Sequence, residues 1–250
     1  MKLMGRLIGR GRREVSTPVA PLPASPTKAR YLSAMDVFRD LSPDDLHWLA
    51  ETTTMVTTPR GRVIFAPGQT SEALFLLKRG RVQLYRGSPD GKKLVTAVLE
   101  PETFFGEMAL AGQHMSDTFA EALEDAMLCV LSRRDLEQLV QRQPLVGLRL
   151  LEAVSGRLRD AEAMLEDIAF KSVAARLAGI LVRLARERGS DELQGLTHQD
   201  LADMVGTYRE TATATLDQFK GRGLVELGRK QIRLLNLEGL AAIGAGDRVT

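Results

Sequence analysis

The sequence has few residues of the kinds that form cross-links or bind metals. Its 250 residues include one cysteine, one tryptophan and three histidines, and aromatic residues make up 5%. The single cysteine, Cys129, excludes a disulfide within the chain and an iron–sulfur cluster held by cysteines, so we expect the reducing cytoplasm as its compartment. No apolar run approaches the roughly 18 residues that a membrane-spanning helix needs, and we expect no membrane partner.

Neither sign of charge dominates the whole chain, because 34 Lys and Arg nearly balance 32 Asp and Glu. The distribution is uneven, however. Residues 1–30 carry seven basic residues and one acidic residue, residues 31–169 carry 15 and 21, and residues 170–250 carry 12 and 10. The hydrophobic share of 44% is ordinary for a globular protein, and the length suits two domains. The sequence thus predicts an acidic middle between basic ends.

The first 30 residues combine arginines with Gly and Pro, a composition that cannot bury a core. We expect a flexible basic tail. Because the start is rich in arginine and poor in acids, it also resembles an organelle transit peptide, which stays an alternative. Met35 is an alternative start of the chain.

The next segment predicts a short helical lead and then many short strands. Ser42, Pro43 and two following acids have the pattern of a helix start. Further along, short apolar runs alternate with glycines and with a Pro-Asp-Gly hairpin turn. Such a pattern is typical of a β-sandwich or jelly roll. The predicted strands are 63–65, 74–77, 82–85, 94–99 and 126–131.

Residues 196–235 have the pattern of a winged helix-turn-helix. Thr197 and Asp200 stand three residues apart, as the N-cap and the acid of a capping box do. Gly206 ends that helix, and Thr207 with Glu210 repeats the same start for a second helix. Two short helices around one glycine are typical of a helix-turn-helix. The inward face of the second helix is predicted to be Ala212, Thr215, Leu216 and Phe219.

A strand, a basic turn and a second strand follow the second helix. The strands are 224–227 and 231–234, and the turn between them is Gly-Arg-Lys at 228–230. This hairpin is predicted to be the wing.

Between the strands and the helix-turn-helix, apolar residues recur at alternating intervals of three and four. This spacing predicts one long helix with an a/d seam, and charged residues occupy its other positions. A helix packed on its own domain would fit two heptads as well. We favour a dimer seam, because helix-turn-helix proteins usually pair to meet two half-sites about one DNA turn apart. The seam comprises Leu151, Val154, Leu158, Ala161, Leu165 and Ile168.

Four features together resemble one known family. They are the β-roll punctuated by glycines, Phe-Gly-Glu-Met-Ala-Leu at 105–110, the long helix ending Ile-Ala-Phe at 168–170, and Val-Gly-Thr-Tyr-Arg-Glu-Thr at 205–211. Over residues 31–240 the chain resembles the transcription regulators typified by the cyclic AMP receptor protein and the fumarate–nitrate reduction regulator, the CRP/FNR family. The resemblance implies a homodimer in which an effector on the β-roll reorients the DNA-binding domains through the long helix.

The predicted fold is therefore α+β, with an N-terminal β-roll or jelly roll like a cyclic nucleotide-binding domain, a long dimerisation helix and a C-terminal winged helix-turn-helix. The predicted division is a flexible basic tail at 1–30, an effector domain at 31–143, the dimerisation helix at 144–169 and the DNA-binding domain at 170–250.

The start of the second helix carries the side chains expected to contact base edges. The guanidinium of Arg209 matches guanine O6 and N7, and the carboxylate of Glu210 can accept from the cytosine amine. Where the cyclic AMP receptor protein reads guanine with another arginine, this chain has Ala214, so its operator is expected to differ at that step. Further DNA contacts, mainly with phosphate, are expected from Thr207, Tyr208, Thr211, Thr213, Arg229 and Lys230.

The effector site implied by the resemblance is degenerate. In the family a Gly-Glu turn binds the ribose, an Arg-Ser pair the cyclic phosphate and a Thr-Ser pair on the long helix the adenine. Gly106 and Glu107 match the turn, but the Arg-Ser position falls on Ser-Asp at 116–117 and the Thr-Ser position on Ala-Glu at 161–162. An acid beside the phosphate would repel it. We expect weak or no binding of cyclic AMP at the pocket of Gly106, Glu107, Met108, Ser116, Asp117, Ala161 and Glu162.

No other cofactor or metal site is expected. Haem sensing needs an axial ligand, but His47, His114 and His198 are widely scattered. A jelly-roll metalloenzyme of the cupin type would need clustered histidines and carboxylates, and a regulatory module of an enzyme would leave a catalytic segment to be found. Neither feature is present, so we expect no enzyme.

The sequence predicts a regulator that binds a palindromic promoter site as a homodimer without cyclic AMP. By resemblance we expect an activator with RNA polymerase as a partner. The alternative is a regulator gated by an unidentified small molecule.

Overall fold

The computed structural model describes residues 26–68, 73–106 and 118–246. Its first elements are helix α1 (Pro26–Ala34), a 3₁₀ turn (Asp36–Phe38) and helix α2 (Pro43–Thr52). Helix α1 begins inside the segment predicted as a flexible tail, and the rest of that tail lies outside the described residues. The side chain of Lys28 is buried and its ammonium donates to the carbonyl of Thr53, which anchors α1 on the effector domain.

The predicted start of α2 is confirmed. Ser42 is the N-cap, its hydroxyl accepts from the amide of Asp45 at 3.2 Å, and Pro43 is the first helical residue. The carboxylate of Asp45 also accepts from the side-chain amide of Gln143 at 2.8 Å, which connects α2 to the start of the long helix.

The effector domain is a β-roll of two antiparallel sheets. In the described residues each sheet has four strands, in the orders β1-β8-β3-β6 and β2-β7-β4-β5. The strands are β1 (Thr54–Thr58), β2 (Val63–Phe65), β3 (Ala73–Arg79), β4 (Val82–Gly87), β5 (Lys93–Leu99), β6 (Phe104–Phe105), β7 (Phe119–Ala122) and β8 (Ala126–Ser132). All five predicted strands are confirmed, whereas β1, β6 and β7 were not predicted.

Strand β3 is buried on both faces over residues 74–77, which explains why this part of its sequence is an unbroken apolar run. Phe75 and Leu77 pack between the two sheets, whereas Leu74 and Leu76 pack against the helices. Strand β8 alternates in the same way, and its Cys129 lies on the helical side. Burial raises the pKa of the Cys129 thiol, as expected for a core cysteine.

Two helices continue from β8. Helix α3 (Arg133–Arg142) packs on the sheet, and helix α4 (Pro144–Phe170) then extends for 27 residues, about 40 Å. One stripe of α4 packs on the effector domain through Val146, Leu150 and Ala153. The long helix is thus anchored along its first half.

The C-terminal domain surrounds a separate core. Its helices are α5 (Val173–Arg188), α6 (His198–Val205), α7 (Arg209–Gly221) and α8 (Leu237–Ala245), and its strands are β9 (Glu192–Gln194), β10 (Val225–Gly228) and β11 (Gln231–Leu234). Strand β9 pairs with β11 and adds a third strand to the predicted wing hairpin. Helix α5, strand β9 and helix α8 were not predicted from the sequence.

The turn from β3 to β4 passes close to the start of β8. Gly80 has φ +82°, and a Cβ there would lie 2.6 Å from the carbonyl oxygen of Asp125 and 2.9 Å from the Cα of Ala126. Gly61 has φ +78° with no atom within 4 Å of such a Cβ. Gly61 therefore shares the backbone constraint of Gly80 without the steric one.

We predict that Gly80→Ala destabilises the protein more than Gly61→Ala. Both variants carry the strain of a left-handed alanine, about 1–2 kcal/mol, and Gly80→Ala adds an overpacking cost of about 1–3 kcal/mol. Urea unfolding followed by circular dichroism measures both free energies. Equal losses in the two variants would contradict the close approach.

Candidate functional site

The first helix of the helix-turn-helix begins with the predicted capping box. The amide of Thr197 donates to the Asp200 carboxylate at 2.7 Å, and the amide of Asp200 donates to the Thr197 hydroxyl at 3.1 Å. At the other end, Gly206 has φ +68° and its amide donates to the carbonyl of Ala202. A left-handed residue that closes a helix in this way is usually glycine.

The prediction of a second capping box at Thr207 and Glu210 is wrong. The N-cap of α7 is Tyr208, without a side-chain cap, and Glu210 is the second helical residue. The physical reason is that the amide of Thr207 donates to Ala202 at 3.0 Å and so helps to close α6. Glu210 still lies in the first turn of α7, where a negative charge is favoured by the helix dipole.

Helix α7 presents a buried face and an open face. The four residues of its predicted inward face are all buried, which confirms that part of the pattern. Thr207 and Thr213 are half-buried. The exposed residues on the open side are Tyr208, Arg209, Glu210, Thr211 and Ala214.

The wing faces the start of α7 across a cleft. Arg229 and Lys230 form a two-residue turn between β10 and β11, and both are exposed. Arg209 and Lys230 line one open cleft of about 410 Å³ between the two elements. The structure therefore brings two predicted DNA-contact cations, 21 positions apart in sequence, to the same groove.

His198 belongs to this surface, although no DNA-contact role was predicted for it from the sequence. It lines the same cleft, and its Nδ1 lies 3.0 Å from the hydroxyl of Thr213. This contact holds Thr213, so its hydroxyl has a protein partner. The sequence contained a signal for this role, because His198 directly follows the N-cap Thr197 and therefore had to lie in the first turn of α6.

The helix-turn-helix also contacts the hairpin between β4 and β5. The hydroxyl of Tyr208 donates to the Asp90 carboxylate at 2.5 Å, and the ammonium of Lys92 lies 4.0 Å from the centre of the Tyr208 ring. A Cβ on Gly206 would lie 2.9 Å from a methyl group of Leu94. A side chain predicted to contact DNA is thus bound to the effector domain.

The predicted dimer seam lies on the open face of α4. Leu151, Leu158 and Leu165 are 61%, 59% and 67% exposed, and Val154, Ala161 and Ile168 are exposed as well. Leu145, Leu148 and Phe170 are also exposed along the helix. The described chain therefore has an apolar stripe on α4 that its own domains leave open.

The predicted effector pocket is described only in part. Gly106 has φ +94°, which suits the predicted turn, and Ala161 and Glu162 are exposed on α4. Glu107, Met108, Ser116 and Asp117 lie outside the described residues.

Arg157 from α4 reaches the strand that leads into this turn. Its guanidinium donates to the carbonyl of Phe104 and lies 4.7 Å from the centre of the Phe104 ring. Arg157 lies outside the predicted seam, where charged residues were expected, and it packs against β6, two residues before Gly106.

Comparison with known proteins agrees with this architecture. Residues 55–143 match the cyclic nucleotide-binding domain, and residues 175–243 match the Crp-like helix-turn-helix domain. The cyclic AMP receptor protein of Thermus thermophilus is 33% identical over 192 residues, which cover 77% of this chain and 88% of that protein. The chain belongs to the CRP/FNR family of transcription regulators. This family has a helix-turn-helix DNA-binding domain and its members are not enzymes.

Other relatives extend the likeness over most of the chain. The cyclic AMP-activated global transcriptional regulator of Mycobacterium tuberculosis is 27% identical, over 84% of this chain and 96% of that protein. The solved structure of a CRP/FNR-family regulator from Eubacterium rectale has a TM-score of 0.74 at 22% identity, covering 87% of this chain and all of that one. The c-di-GMP responsive regulator CLP of Xanthomonas campestris has a TM-score of 0.71 at 24% identity, covering 77% and 99%. The two structures support the CRP/FNR fold.

The described part of the chain includes no group of three histidine, cysteine or acidic side chains placed to hold a metal ion. None of its helices combines the length and apolar content needed to cross a bilayer.

We predict that Tyr208→Phe raises the pKa of Asp90. Hydrogen bonds from Ser88 and then Tyr208 lower that pKa to about 2, and the variant removes one of them. Because the folded-state pKa lies below the unfolded value near 3.9, this stabilisation is complete above pH 4 and is lost as the pH falls through about 2. Carboxyl-carbon NMR titration measures the shift. Asp45, whose partners are Ser42 and Gln143, is the internal reference and should not move. An unchanged Asp90 would show that the Tyr208 hydroxyl does not bind it in solution.

Proposed function

We propose that the protein is a homodimeric transcription activator that binds a palindromic promoter site without cyclic AMP. The observation that carries the proposal is the exposed start of α7, where Arg209 lines one cleft with Lys230 and the next residue, Glu210, is exposed. This surface belongs to the region that matches the Crp-like helix-turn-helix domain. We take the cytoplasm as its location and RNA polymerase as a partner by analogy with the family.

The base-reading step is assigned to the first turn of α7. Arg209 can donate two hydrogen bonds to guanine, and Glu210 can accept from a cytosine amine. Ala214 is exposed one turn later and has no polar group, so it can only contact a thymine methyl group. Losing a bidentate contact at that step removes about 1–3 kcal/mol of discrimination. The operator consensus that the family resemblance implies is therefore not transferable to this chain.

The flanking contacts are assigned to phosphate. Tyr208 and Thr211 are exposed at the start of α7, and Arg229 is exposed in the wing turn. Thr207 and Thr213 are half-buried, and the hydroxyl of Thr213 is already bound to His198, so we assign these two a smaller share. Such contacts fix the register of a protein on DNA without reading sequence.

The homodimer rests on the exposed stripe of α4. Helix α4 already packs on its own domain through Val146, Leu150 and Ala153, so the seam leucines lie on a different face. An isologous pairing of two α4 helices would bury both stripes and relate the two α7 helices by a two-fold axis. A two-fold axis in the protein matches a palindromic site.

Independence of cyclic AMP rests on the groups available near the turn at Gly106. The long helix offers Ala161 and Glu162 where the family's adenine contacts stand, and the loop sequence offers Ser116 and Asp117 where its phosphate contacts stand. The relatives themselves differ, since one is described as cyclic AMP-activated and another as c-di-GMP responsive. Membership of the family does not fix the effector.

A regulator gated by another small molecule is the second candidate. The contact between Tyr208 and Asp90 favours it, because the effector domain occupies a hydroxyl that we assign to phosphate. A ligand that shifts the β4–β5 hairpin would release Tyr208 and couple the two domains.

The first test is selection of a random duplex pool by the purified protein with no ligand added. We expect enrichment of a two-fold symmetric site with G and C at the steps assigned to Arg209 and Glu210. Arg209→Ala should lose the preference for G at one symmetric position, at a cost of about 1–3 kcal/mol. Arg183→Ala, an exposed arginine on α5, is the matched control and should select the wild-type site.

The ligand-free selection also separates the two candidates. Failure of folded, dimeric protein to enrich a site would overturn the effector-independent proposal and favour gating. A site that appears only with added cyclic AMP would contradict the degenerate pocket.

The second test concerns the seam. We predict that Leu158→Glu raises the dimer dissociation constant by about 100-fold or more, because two unpaired carboxylates would enter a symmetric apolar interface. Ala163→Glu adds the same charge to an exposed position of α4 outside the seam and should stay dimeric. Sedimentation equilibrium measures both constants. A dimer unaffected by Leu158→Glu would show that α4 is not the interface.

A further inference from the structure

The link between the long helix and the DNA-binding domain contains one arginine that joins three separate stretches of backbone. Arg176 lies in the first turn of α5, shortly after the residues Lys171 and Ser172 that connect α4 to α5. Its Nη1 donates to the carbonyl of Lys171 at 2.9 Å and to that of Ile168 at 3.4 Å. Its Nε donates to the carbonyl of Val205 at 3.2 Å.

The three carbonyls lie at places where the backbone lacks its usual partner. Ile168 is in the last turn of α4 and Val205 is the last residue of α6, so neither carbonyl has an amide four residues later in the same helix. Both helix ends also carry partial negative charge, which a nearby cation stabilises. One guanidinium therefore caps the dimerisation helix and the first helix of the helix-turn-helix together.

Val205 lies next to the turn that precedes the base-reading helix. Val205 directly precedes Gly206, and Arg209 begins α7 three residues later. The other end of the bridge, Ile168, is the last residue of the predicted dimer seam. The guanidinium thus connects the end of the seam to the turn that aims the base-reading residues.

We propose that Arg176 is a positioning residue that fixes the angle between α4 and α7 and so sets the half-site spacing that the dimer accepts. The inference rests on the proposed function, since spacing has meaning only for a dimer on a two-fold site. One base pair of spacing shifts the two half-sites by about 3.4 Å and rotates them by about 34°. A rigid connection would reject such a change, and a loose one would tolerate it.

Arginine suits this task better than lysine. The guanidinium is planar and its donors point in fixed directions, so one side chain can bind carbonyls of three segments at once. An ammonium is a point charge on a flexible stem and would hold fewer of them.

The test compares DNA binding by Arg176→Gln, Arg176→Lys and the control Arg183→Gln. Arg183 is on the same helix, but its guanidinium is exposed and lies 3.9 Å from Glu187. The probes are the operator selected by the wild-type protein, the same operator with one base pair added to or removed from the spacer, and a single half-site. Affinities are measured by fluorescence anisotropy, and folding and dimerisation are checked by circular dichroism and sedimentation.

We expect the preference of the wild-type protein for its own spacing to fall at least tenfold in Arg176→Gln, with half-site affinity within about threefold of wild type. The spacing preference of Arg176→Lys should lie between those of the wild type and Arg176→Gln, and that of Arg183→Gln should match the wild type. A merely structural role would weaken binding to all probes equally and leave the spacing preference intact, which would overturn the inference.

If Arg176→Gln does not fold, Arg176→Lys decides the question by the same ratio, and an unchanged ratio overturns the inference. A failed proposed function is recognised separately. In that case the wild-type protein selects no two-fold site at all. If only the positioning role fails, the wild-type protein keeps its spacing preference and the Arg176 variants show the same preference.

Discussion

The rest of the structure depends on helix α4 having apolar residues on two different faces. One face packs on the β-roll through Val146 and Leu150, and this contact anchors the helix in the effector domain. The other face exposes Leu151, Leu158 and Leu165, which nothing in the described chain covers. In the proposed homodimer, α4 buries both stripes and so connects each effector domain to a second copy. The same helix carries the DNA-binding domain at its far end, so any change in how its two faces pack is transmitted to that domain.

Such transmission requires a firm connection between the end of α4 and the reading surface, by which we mean the start of α7 with Arg209 and Glu210. Free carbonyls at helix ends provide the hydrogen-bond acceptors for this connection. Carbonyls at the ends of α4 and α6 lack helical partners, and one arginine satisfies both. On its other side the helix-turn-helix meets the β4–β5 hairpin through Tyr208 and Asp90. The reading surface is therefore connected to the effector domain by two routes, through the long helix and directly through the hairpin.

The sequence predicted the elements whose signal is local and missed those that depend on distant partners. The apolar runs within β3 and β8 exist because both faces of these strands are buried, and the capping box of Thr197 and Asp200 needs only neighbouring residues. The two-residue strand β6 and the alanine-rich β7 exist because β3 and β4 pair with them. The cap assigned to Thr207 was wrong because its amide serves the preceding helix. Likewise, neither the shared cleft of Arg209 and Lys230 nor the contact of Tyr208 with Asp90 could be inferred from spacing in sequence.

The two routes bear on whether a ligand is needed at all. A ligand on the β-roll could act through α4, but Ala161 and Glu162 occupy the position that the family resemblance assigns to adenine contacts, and Arg157 already packs on Phe104. In the proposed DNA complex the hairpin route needs no nucleotide, because the Tyr208 hydroxyl can donate to a DNA phosphate instead of to Asp90. Since phosphate and Asp90 compete for the same Tyr208 proton, DNA itself can release the domain from the hairpin if its binding energy exceeds that of the contact. An exposed tyrosine–carboxylate bond is weak relative to a set of phosphate contacts, so the Tyr208–Asp90 contact is consistent with the proposed regulator that DNA alone opens as well as with the gated one.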